Sequence, residues 1–378
     1  MELTTQFSHQ LSQFTGSSKN LRLFWKGRGA LYALLKSVGV GPGDDVILPA
    51  YTCVVVPNAI LYTGAIPIYV DVNPDTFCCN ADDLQAAITP KTKAIICQNT
   101  YGLSWDVDKI AALGKKYGIV TIEDCTHGFG GTYQGQPNGS FCDASFFSSQ
   151  WNKPFSTGLG GYLQLNREAL VVGIDEMTVD LPSYKQQLEL ACQLAVKRWL
   201  LNDRTYWLLR KIYRVLSRFN IVTGSSQGDE LTSVTMAPHF LQSMGPVQIK
   251  EGMRALKSFP KLHANRRVHA LQIHACLKEM KKTTVPDSVL SDHGFLLYPV
   301  RTSDRAAFFA EAEKSKIRII DWFTSPLHPV QGDLSAWKFD RTQYPNAAYL
   351  AEVTCGIPVH DDIQKVIDFL RRIGNFLI

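Results

Sequence analysis

Lys153 has neighbours that suit covalent chemistry. It follows an apolar stretch, 144–147, and precedes a glycine-rich stretch, 157–161, where the backbone can approach a bound molecule closely. Burial among apolar groups lowers the pKa of a lysine, and the neutral amine attacks carbonyl carbons to form Schiff bases. Most lysines are solvated surface charges, so the prediction of a reactive amine depends on these neighbours.

Asp124 is a second candidate, because it follows the predicted strand 119–123. Ligands of α/β sheets bind beyond the carboxyl ends of the strands. A carboxylate in that place can hold a proton on a ring nitrogen of a bound cofactor. Position alone equally allows an ordinary helix cap or a salt-bridged aspartate.

An anion site is indicated by Gly27, Arg28 and Gly29, which open a predicted helix. Backbone N–H groups at a helix N-terminus bind anions. Ser148 and Ser149 add hydroxyl donors after the apolar stretch 144–147. A G-x-G pattern is also typical of an ordinary helix start, so by itself it leaves both interpretations open.

The elements that must position these residues alternate along the chain. Apolar, β-branched stretches alternate with amphipathic stretches of helical length, which predicts a largely parallel sheet with helices on both faces. The pattern changes after about residue 245, so we expect a large domain over 1–245 and a smaller α+β domain over 246–378. The predicted strands are 45–48, 66–70, 94–97, 119–123, 144–147, 294–300 and 317–321, and the predicted helices are 30–38, 54–62, 82–88, 107–117, 247–280, 305–315 and 363–373.

Short motifs occur in a fixed order between residues 27 and 161. They are GRGAL (27–31), GPGDDVILP (41–49), NAI (58–60), GAIP (64–67), DVN (71–73), AITPKTKAI (87–95), YG (101–102), IED (122–124), and Phe147-Ser148 with Lys153 five residues after the serine. In this order and spacing the chain resembles the nucleotide-sugar aminotransferases of the DegT/DnrJ type, which are fold-type-I enzymes dependent on pyridoxal 5′-phosphate (PLP). Thinner matches at 326–328, 345–347 and 357–358 extend the resemblance over most of the chain.

The resemblance implies a three-layer α/β large domain with a mostly parallel sheet and a smaller C-terminal α+β domain. It implies PLP as the cofactor, held as a Schiff base on Lys153, whose amine would then move the proton between substrate and cofactor. Asp124 would face the pyridinium nitrogen, and His127 would lie near the ring and its phenolic oxygen. Without the resemblance, His127 would be interpreted as a hydrogen-bonded structural histidine. The phosphate would be held by Gly27, Arg28, Gly29 and Ser148.

The chain departs from the family pattern near the expected cofactor. Many relatives have an aromatic residue after the P-x-x-T of the second strand, stacked on the cofactor ring, whereas Cys53 stands here. Asn99 replaces a frequent histidine, and the stretch 150–152 before the lysine is unusual. Relatives that are dehydratases replace the lysine by histidine, and this chain keeps Lys153.

The segment 186–220 is basic, aromatic and helical in period. Helices of this type can lie on anionic membranes or contact lipid-linked substrates. They are more often core or interface helices, with aromatic side chains packed and long basic side chains reaching water. We therefore expect a core or interface helix in this segment and keep membrane or lipid contact as the alternative.

The composition bounds the remaining classes. The 378 residues are 45% hydrophobic and 19% charged, which predicts a globular protein, and scattered basic residues with a net charge of +5 predict no nucleic-acid partner. The nine cysteines lack C-x-x-C spacing, which predicts free thiols in a reducing compartment and no metal site. We see neither a signal-peptide pattern nor a long apolar run, so a cytoplasmic location is expected.

These features predict a cytoplasmic, homodimeric aminotransferase acting on small molecules. By resemblance the donor would be glutamate and the acceptor a keto sugar linked to a nucleotide, with ping-pong kinetics. Another PLP enzyme, such as a dehydratase or a carbon–carbon lyase, would keep the same lysine and aspartate. An NAD-dependent Rossmann enzyme is less favoured, because no G-x-G-x-x-G follows the first strand. A non-catalytic binding protein on the same fold is the third alternative.

Overall fold

A mostly parallel sheet forms the centre of the molecule. The computed structural model describes residues 2–16, 20–200, 205, 228–359 and 362–378, and the order of the seven strands of this sheet within them is β1, β10, β9, β6, β5, β2, β4. The strands of the described chain are β1 (Leu21–Phe24), β2 (Asp45–Pro49), β3 (Thr52–Cys53), β4 (Ile66–Val70), β5 (Thr92–Gln98), β6 (Val120–Asp124), β7 (Thr132–Tyr133), β8 (Gln136–Pro137), β9 (Ala144–Ser148), β10 (Gly161–Leu165), β11 (Tyr298–Arg301), β12 (Leu327–His328) and β13 (Thr354–Ile357).

Neighbouring strands from β9 to β4 run parallel, and β10 and β1 add an antiparallel edge. Strands β2, β6 and β9 are buried at every residue, as expected for strands of a parallel sheet covered on both faces. The α/β class and the largely parallel sheet are therefore confirmed.

Helices connect and cover the strands. The two predicted at 54–62 and 107–117 form with bounds within one residue of those expected. The helices of the described chain are α1 (Glu2–Thr15), α2 (Gly27–Ser37), α3 (Val55–Tyr62), α4 (Ala81–Ala86), α5 (Val107–Tyr117), α6 (Ala169–Asp175), α7 (Tyr184–Leu200), α8 (Pro246–Glu279), α9 (Arg305–Lys314), α10 (Pro345–Val353) and α11 (Ile363–Arg372).

The predicted strand over 317–321 is wrong. Ile320 exchanges a pair of backbone hydrogen bonds with Gly356, each 2.9 Å from N to O, and this contact is an isolated bridge rather than a strand pairing. The partner of β11 is β13, which the sequence did not indicate. The predicted strand 294–300 begins later than expected, at Tyr298, because Phe295 has a positive φ of 45° that extended strands do not use.

The C-terminal part begins with α8 and contains the two-stranded sheet of β11 and β13. The division into domains at 245/246 coincides with the start of α8 and stays a prediction. The short strand β12 pairs in parallel with β3, placing His328 opposite Cys53. The C-terminal part thus reaches the end of the central sheet at that point.

The basic segment 186–220 lies partly within α7, and of its remainder, 201–220, only Thr205 is among the described residues. Helix α7 buries Leu190 and Leu194 next to Trp25. It exposes 83% of Tyr184 and 76% of Trp199. Of the helices in the described ranges, none combines the length and apolar character that crossing a membrane requires.

Candidate active site

The candidate site is a cavity at the carboxyl ends of β6 and β9. These strands are parallel neighbours, with Asp124 opposite Phe146, so their last residues meet at one edge of the sheet. Six of the seven residues predicted from sequence line this cavity together, namely Gly27, Arg28, Asp124, His127, Ser148 and Lys153.

Glycines allow α2 to begin against these strand ends. A Cβ on Gly27 would lie 2.9 Å from the carbonyl oxygen of Phe147, and a Cβ on Gly161 would lie 2.3 Å from Cα of Gly27. Any side chain at either position would push the helix start away from β9 and β10. The glycines therefore place the N-terminus of α2, with its backbone N–H groups, at the wall of the cavity.

Lys153 follows β9 in a turn closed by its own N–H, which donates to the carbonyl of Gln150 at 3.0 Å. The residue is half-buried because it borders the cavity, but the amine is surrounded by protein and burial lowers its pKa below 10.5. The charges of Cys53 and Asp124 oppose that effect, and Arg28 adds to it. Lys153 therefore reaches the neutral, nucleophilic form more readily than a solvated lysine.

Asp124 is 3% exposed at the last position of β6. Its Oδ1 accepts the backbone N–H of Thr126 at 2.9 Å. Burial raises the pKa of this carboxyl, while the hydrogen bonds from Thr126 and the charge of Lys153 lower it. An acid balanced in this way can face a protonated ring nitrogen, whose positive charge would stabilise the carboxylate further.

His127 is a buried, neutral histidine. Burial lowers its pKa well below 6.5, and the charges of Lys153 and His328 act in the same direction. Its Nδ1 accepts the N–H of Tyr101 at 3.3 Å, which assigns the proton to Nε2. Tyr101 has a positive φ of 59°, an unfavourable conformation for a residue with a side chain. His127 therefore offers Nε2 as a hydrogen-bond donor.

The start of α2 carries two cations beside the cavity. Arg28 forms an ion pair with Glu230, and both side chains are almost fully buried. Lys26, the residue before the helix, also lines the cavity; burial and the charge of Arg28 lower its pKa to about 8, against the opposing charge of Glu230. Ser148, the last residue of β9, adds a hydroxyl to this end of the cavity.

Gly29 is placed differently from the other six predicted residues. It lies in the first turn of α2, where its N–H donates to the carbonyl of Lys26 at 3.1 Å. It does not border the cavity. A Cβ on it would lie 3.2 Å from the carbonyl of Phe240, so the tight contact at Gly29 is with another part of the chain.

Several cavity residues received no role from the sequence, among them Lys26, Trp322, Phe323 and His328. Trp322 stacks on His127 with ring centroids 4.9 Å apart and planes 4° apart. Burial lowers the pKa of His328 to about 4, so it too is neutral. The PLH motif at 326–328 was a signal for His328, but it gave no indication of the β3–β12 pairing that brings His328 to the site.

The arrangement has three parts with distinct chemistry. An amine with a lowered pKa, Lys153, suits covalent attack on a carbonyl carbon. A buried carboxyl, Asp124, suits a protonated nitrogen, and the helix start with Lys26 and Arg28 suits an anion such as phosphate. The cavity therefore fits a small carbonyl compound that also carries a basic ring nitrogen and a phosphate.

Comparison with known proteins agrees with this interpretation. Residues 2–181 match the DegT/DnrJ/EryC1/StrS aminotransferase family. GDP-perosamine synthase of Caulobacter vibrioides is 40% identical over 144 residues, 38% of this chain and 39% of the relative. A UDP-2-acetamido-2-deoxy-3-oxo-D-glucuronate aminotransferase of Pseudomonas aeruginosa is 36% identical over 174 residues, 46% of this chain and 48% of the relative. The chain thus matches less than half the length of each of these relatives.

Solved structures extend the likeness of fold over the whole chain. The PLP form of the putative sugar aminotransferase Spr1654 from Streptococcus pneumoniae superposes with a TM-score of 0.73, covering 99% of this chain and 91% of that one at 24% identity. The fold is therefore that of the fold-type-I aminotransferases, as the motifs predicted. The part of the chain that contains Lys153, Asp124 and the start of α2, residues 2–181, thus matches the DegT/DnrJ/EryC1/StrS aminotransferase family, and the remainder agrees with this structure in fold.

Proposed function

We propose that this chain is a PLP-dependent aminotransferase that moves an amino group from glutamate to a keto sugar linked to a nucleotide. The observation that carries the proposal is the meeting of Lys153 and Asp124 with an anion-binding helix start in one cavity. Each group alone has an ordinary structural explanation. Together they match the three reactive parts of PLP: an aldehyde, a ring nitrogen and a phosphate.

The residues present fit this cofactor. Lys153 would hold it covalently, Asp124 would pair with its ring nitrogen, and Nε2 of His127 would donate to its phenolic oxygen. Gly27 lets α2 begin directly against β9, since a Cβ there would lie 2.9 Å from the carbonyl of Phe147, and this keeps the first N–H groups of α2 at the cavity wall, where a phosphate could approach them. The phosphate would be held by Gly27, Arg28, Ser148 and Lys26, with Gly29 supporting the first turn of the helix.

PLP, when bound, supplies a ring that accepts electrons from a carbanion formed next to the amino nitrogen. Nζ of Lys153, its pKa lowered by burial, would take the proton from the substrate carbon and return it during the exchange. Asp124 would keep the ring nitrogen protonated, because its carboxylate is stabilised by that positive charge. His127, neutral and fixed by Tyr101, would hold the ring oxygen in place.

The substrate assignment rests on the relatives. Those described above are named for a GDP-linked and a UDP-linked sugar, and the second name specifies a 3-oxo group as well as amino transfer. We therefore propose a nucleotide-linked keto sugar as acceptor and glutamate as donor, reacting in turn at one site. Ping-pong kinetics, with parallel lines in double-reciprocal plots, would follow from that order.

The test of this function combines a spectrum with covalent labelling. The purified protein is titrated with PLP, reduced with borohydride and mapped by peptide mass spectrometry. A pyridoxyl group on Lys153, absent when glutamate is added before reduction, would support both the cofactor and the first half-reaction. Labelling without any response to amino donors would favour a dehydratase or lyase, and absence of labelling would favour a non-catalytic binding protein.

We also propose that the enzyme is a homodimer. The exposed apolar side chains of Tyr184, Leu188 and Trp199 on α7 support this proposal, because such a face is better covered by a second copy than left in water. Sedimentation analysis of Trp199→Glu tests it, since a charge at a buried interface should yield monomers. Binding of the wild type to anionic vesicles, lost in the same variant, would instead favour the membrane alternative.

A cytoplasmic location is proposed on the cysteines. All nine are free, and Cys97 and Cys142 remain thiols with sulfurs 3.7 Å apart. Such a set suits a reducing compartment. Detection of an intrachain disulfide in protein isolated without reductant, under conditions that block thiol oxidation, would contradict this location.

A further inference from the structure

The wall of the cavity at Cys53 lacks an aromatic ring from β3. Cys53 is half-buried, borders the cavity and stands where the family pattern predicted a ring that stacks on the cofactor. Its neighbour across the short parallel pairing is His328 on β12. The small side chain of Cys53 therefore leaves one flank of the cavity to residues from the C-terminal part of the chain.

Trp322 enters the cavity from that part of the chain. Its indole is half-buried and lies parallel to the His127 ring, with centroids 4.9 Å apart and planes 4° apart. Nζ of Lys153 lies 4.8 Å from the centroid of the same indole. The indole thus contacts two of the predicted site residues, His127 and Lys153.

The position of Trp322 is fixed by buried tyrosines. The hydroxyl of Tyr101 donates to the carbonyl of Trp322 at 2.8 Å, and the hydroxyl of Tyr51 lies 2.9 Å from that of Tyr101. The next residue, Phe323, packs edge-on against Tyr51 with centroids 4.8 Å apart. Because Tyr101 also donates its N–H to His127, a single residue orients both members of the stacked pair.

We propose that Trp322 provides the aromatic face for the cofactor ring that Cys53 does not. The inference rests on the proposed function, because it requires PLP in the cavity. The electron-rich face of an indole attracts cations, as its contact with the Lys153 amine illustrates. Asp124 would keep the PLP ring protonated and therefore positive, so the same face favours the bound ring.

The experiment measures the dissociation constant of PLP, by absorbance titration of the full-length protein, for Trp322→Ala and Trp322→Phe. Trp322→Ala should weaken binding about 10-fold, the effect of losing a well-placed aromatic contact. Trp322→Phe keeps an aromatic face and should lose less than about 3-fold. Tyr117→Ala, at a position 43% exposed at the end of α5, is the matched control and should bind as the wild type does.

A rescue variant tests whether Trp322 replaces the missing ring. Adding Cys53→Phe to Trp322→Ala should restore most of the lost affinity, because it returns an aromatic side chain to the cavity wall. Circular dichroism and thermal melting establish that each variant is folded.

Several results would overturn the proposal. A dissociation constant for Trp322→Ala within about twofold of the wild type would do so. The same holds if Trp322→Phe loses as much affinity for PLP as Trp322→Ala does. Failure of Cys53→Phe to rescue a folded double variant would contradict the replacement of one ring by the other. If the wild type itself neither binds PLP nor becomes labelled at Lys153, the proposed function fails, and that outcome is visible before any variant is compared.

Discussion

Two lysines in the described part of the chain contact an indole, and only their surroundings separate a candidate reactive amine from a surface contact. Nζ of Lys153 lies 4.8 Å from the ring centroid of Trp322, and Nζ of Lys197 lies 5.1 Å from that of Trp151. Burial lowers the pKa of both lysines. By lysine chemistry alone the two positions are similar.

They differ in what a ligand would meet. Lys153 borders a cavity with Asp124 and the start of α2, whereas Lys197 lies on α7 where the neighbouring charges are Glu251 and Arg254. Glu251 already pairs with Arg198 at 2.8 Å and belongs to the packing of α7 on α8. A lowered pKa therefore marks a reactive lysine only where concave space and complementary groups accompany it.

The sharpest test of this comparison replaces each lysine by alanine. Lys153→Ala should abolish pyridoxyl labelling and slow the glutamate half-reaction by more than about 10⁴-fold, because covalent attachment and proton transfer are lost together. Lys197→Ala is the matched control and should leave the rate within about twofold. Single-turnover absorbance changes measure both. Equal losses in the two variants would mean that burial of an amine, rather than the cavity, determines reactivity.

A second test uses adjacent acids on β6, which point to opposite faces of the sheet. Asp124→Asn should slow the half-reaction on the order of 10²- to 10⁴-fold, because an amide cannot stabilise a protonated ring nitrogen. Glu123→Gln should have a small effect on rate, since Glu123 accepts from Asn99 and Gly139 instead of facing the cavity. The measurement is the half-reaction rate of PLP-loaded protein. An Asp124→Asn enzyme with full rate would remove the proposed role of that carboxylate.

Glu123 should instead affect how the free energy of unfolding depends on pH. Burial raises its pKa from 4.5 to about 7, so between these pH values the folded protein binds a proton that the unfolded chain releases. Stability therefore falls as pH rises through this window, by about 3 kcal/mol at most. Glu123→Gln should abolish this part of the pH dependence, and Glu168→Gln, at an exposed position, should retain it.

Urea unfolding of the wild type, Glu123→Gln and Glu168→Gln gives the free energy of unfolding at pH 5 and at pH 8. The change in this free energy between the two pH values is then compared among the three proteins. Parallel behaviour of wild type and Glu123→Gln would show that the buried carboxyl does not titrate in this range. It would also contradict the contrast drawn above, in which Glu123 affects the stability of the fold and Asp124 affects the reaction.

The sequence drew attention to both lysines of this comparison, but it did not predict which side chains would contact them. Lys153 and Asp124 could be predicted because strand ends and glycine-rich turns are local patterns. Trp322 could not, because its place depends on the pairing of two-residue strands, β3 and β12, which have no periodic signal. The partner of Arg28, Glu230, is 202 residues away along the chain. The predicted strand 317–321 failed for a related reason: its contact with β13 is limited to a single bridge between Ile320 and Gly356.

The smallest expected effect concerns the indoles themselves. An indole face stabilises an ammonium by about 0.5 to 1 kcal/mol at a partly exposed site, so removing it while keeping an apolar side chain should lower the lysine pKa further. Trp151→Leu should do this to Lys197, and Trp322→Leu to Lys153, in protein without cofactor. Carbon-13 NMR of reductively methylated lysines follows both titrations, with exposed lysines as internal controls. If PLP added before methylation prevents the dimethyl signal of Lys153 and leaves that of Lys197, the two sites share a cation–π contact and differ in their chemistry. A rise in either pKa on loss of the indole would mean that the tryptophan acts by excluding water, and that its π face contributes less than its bulk.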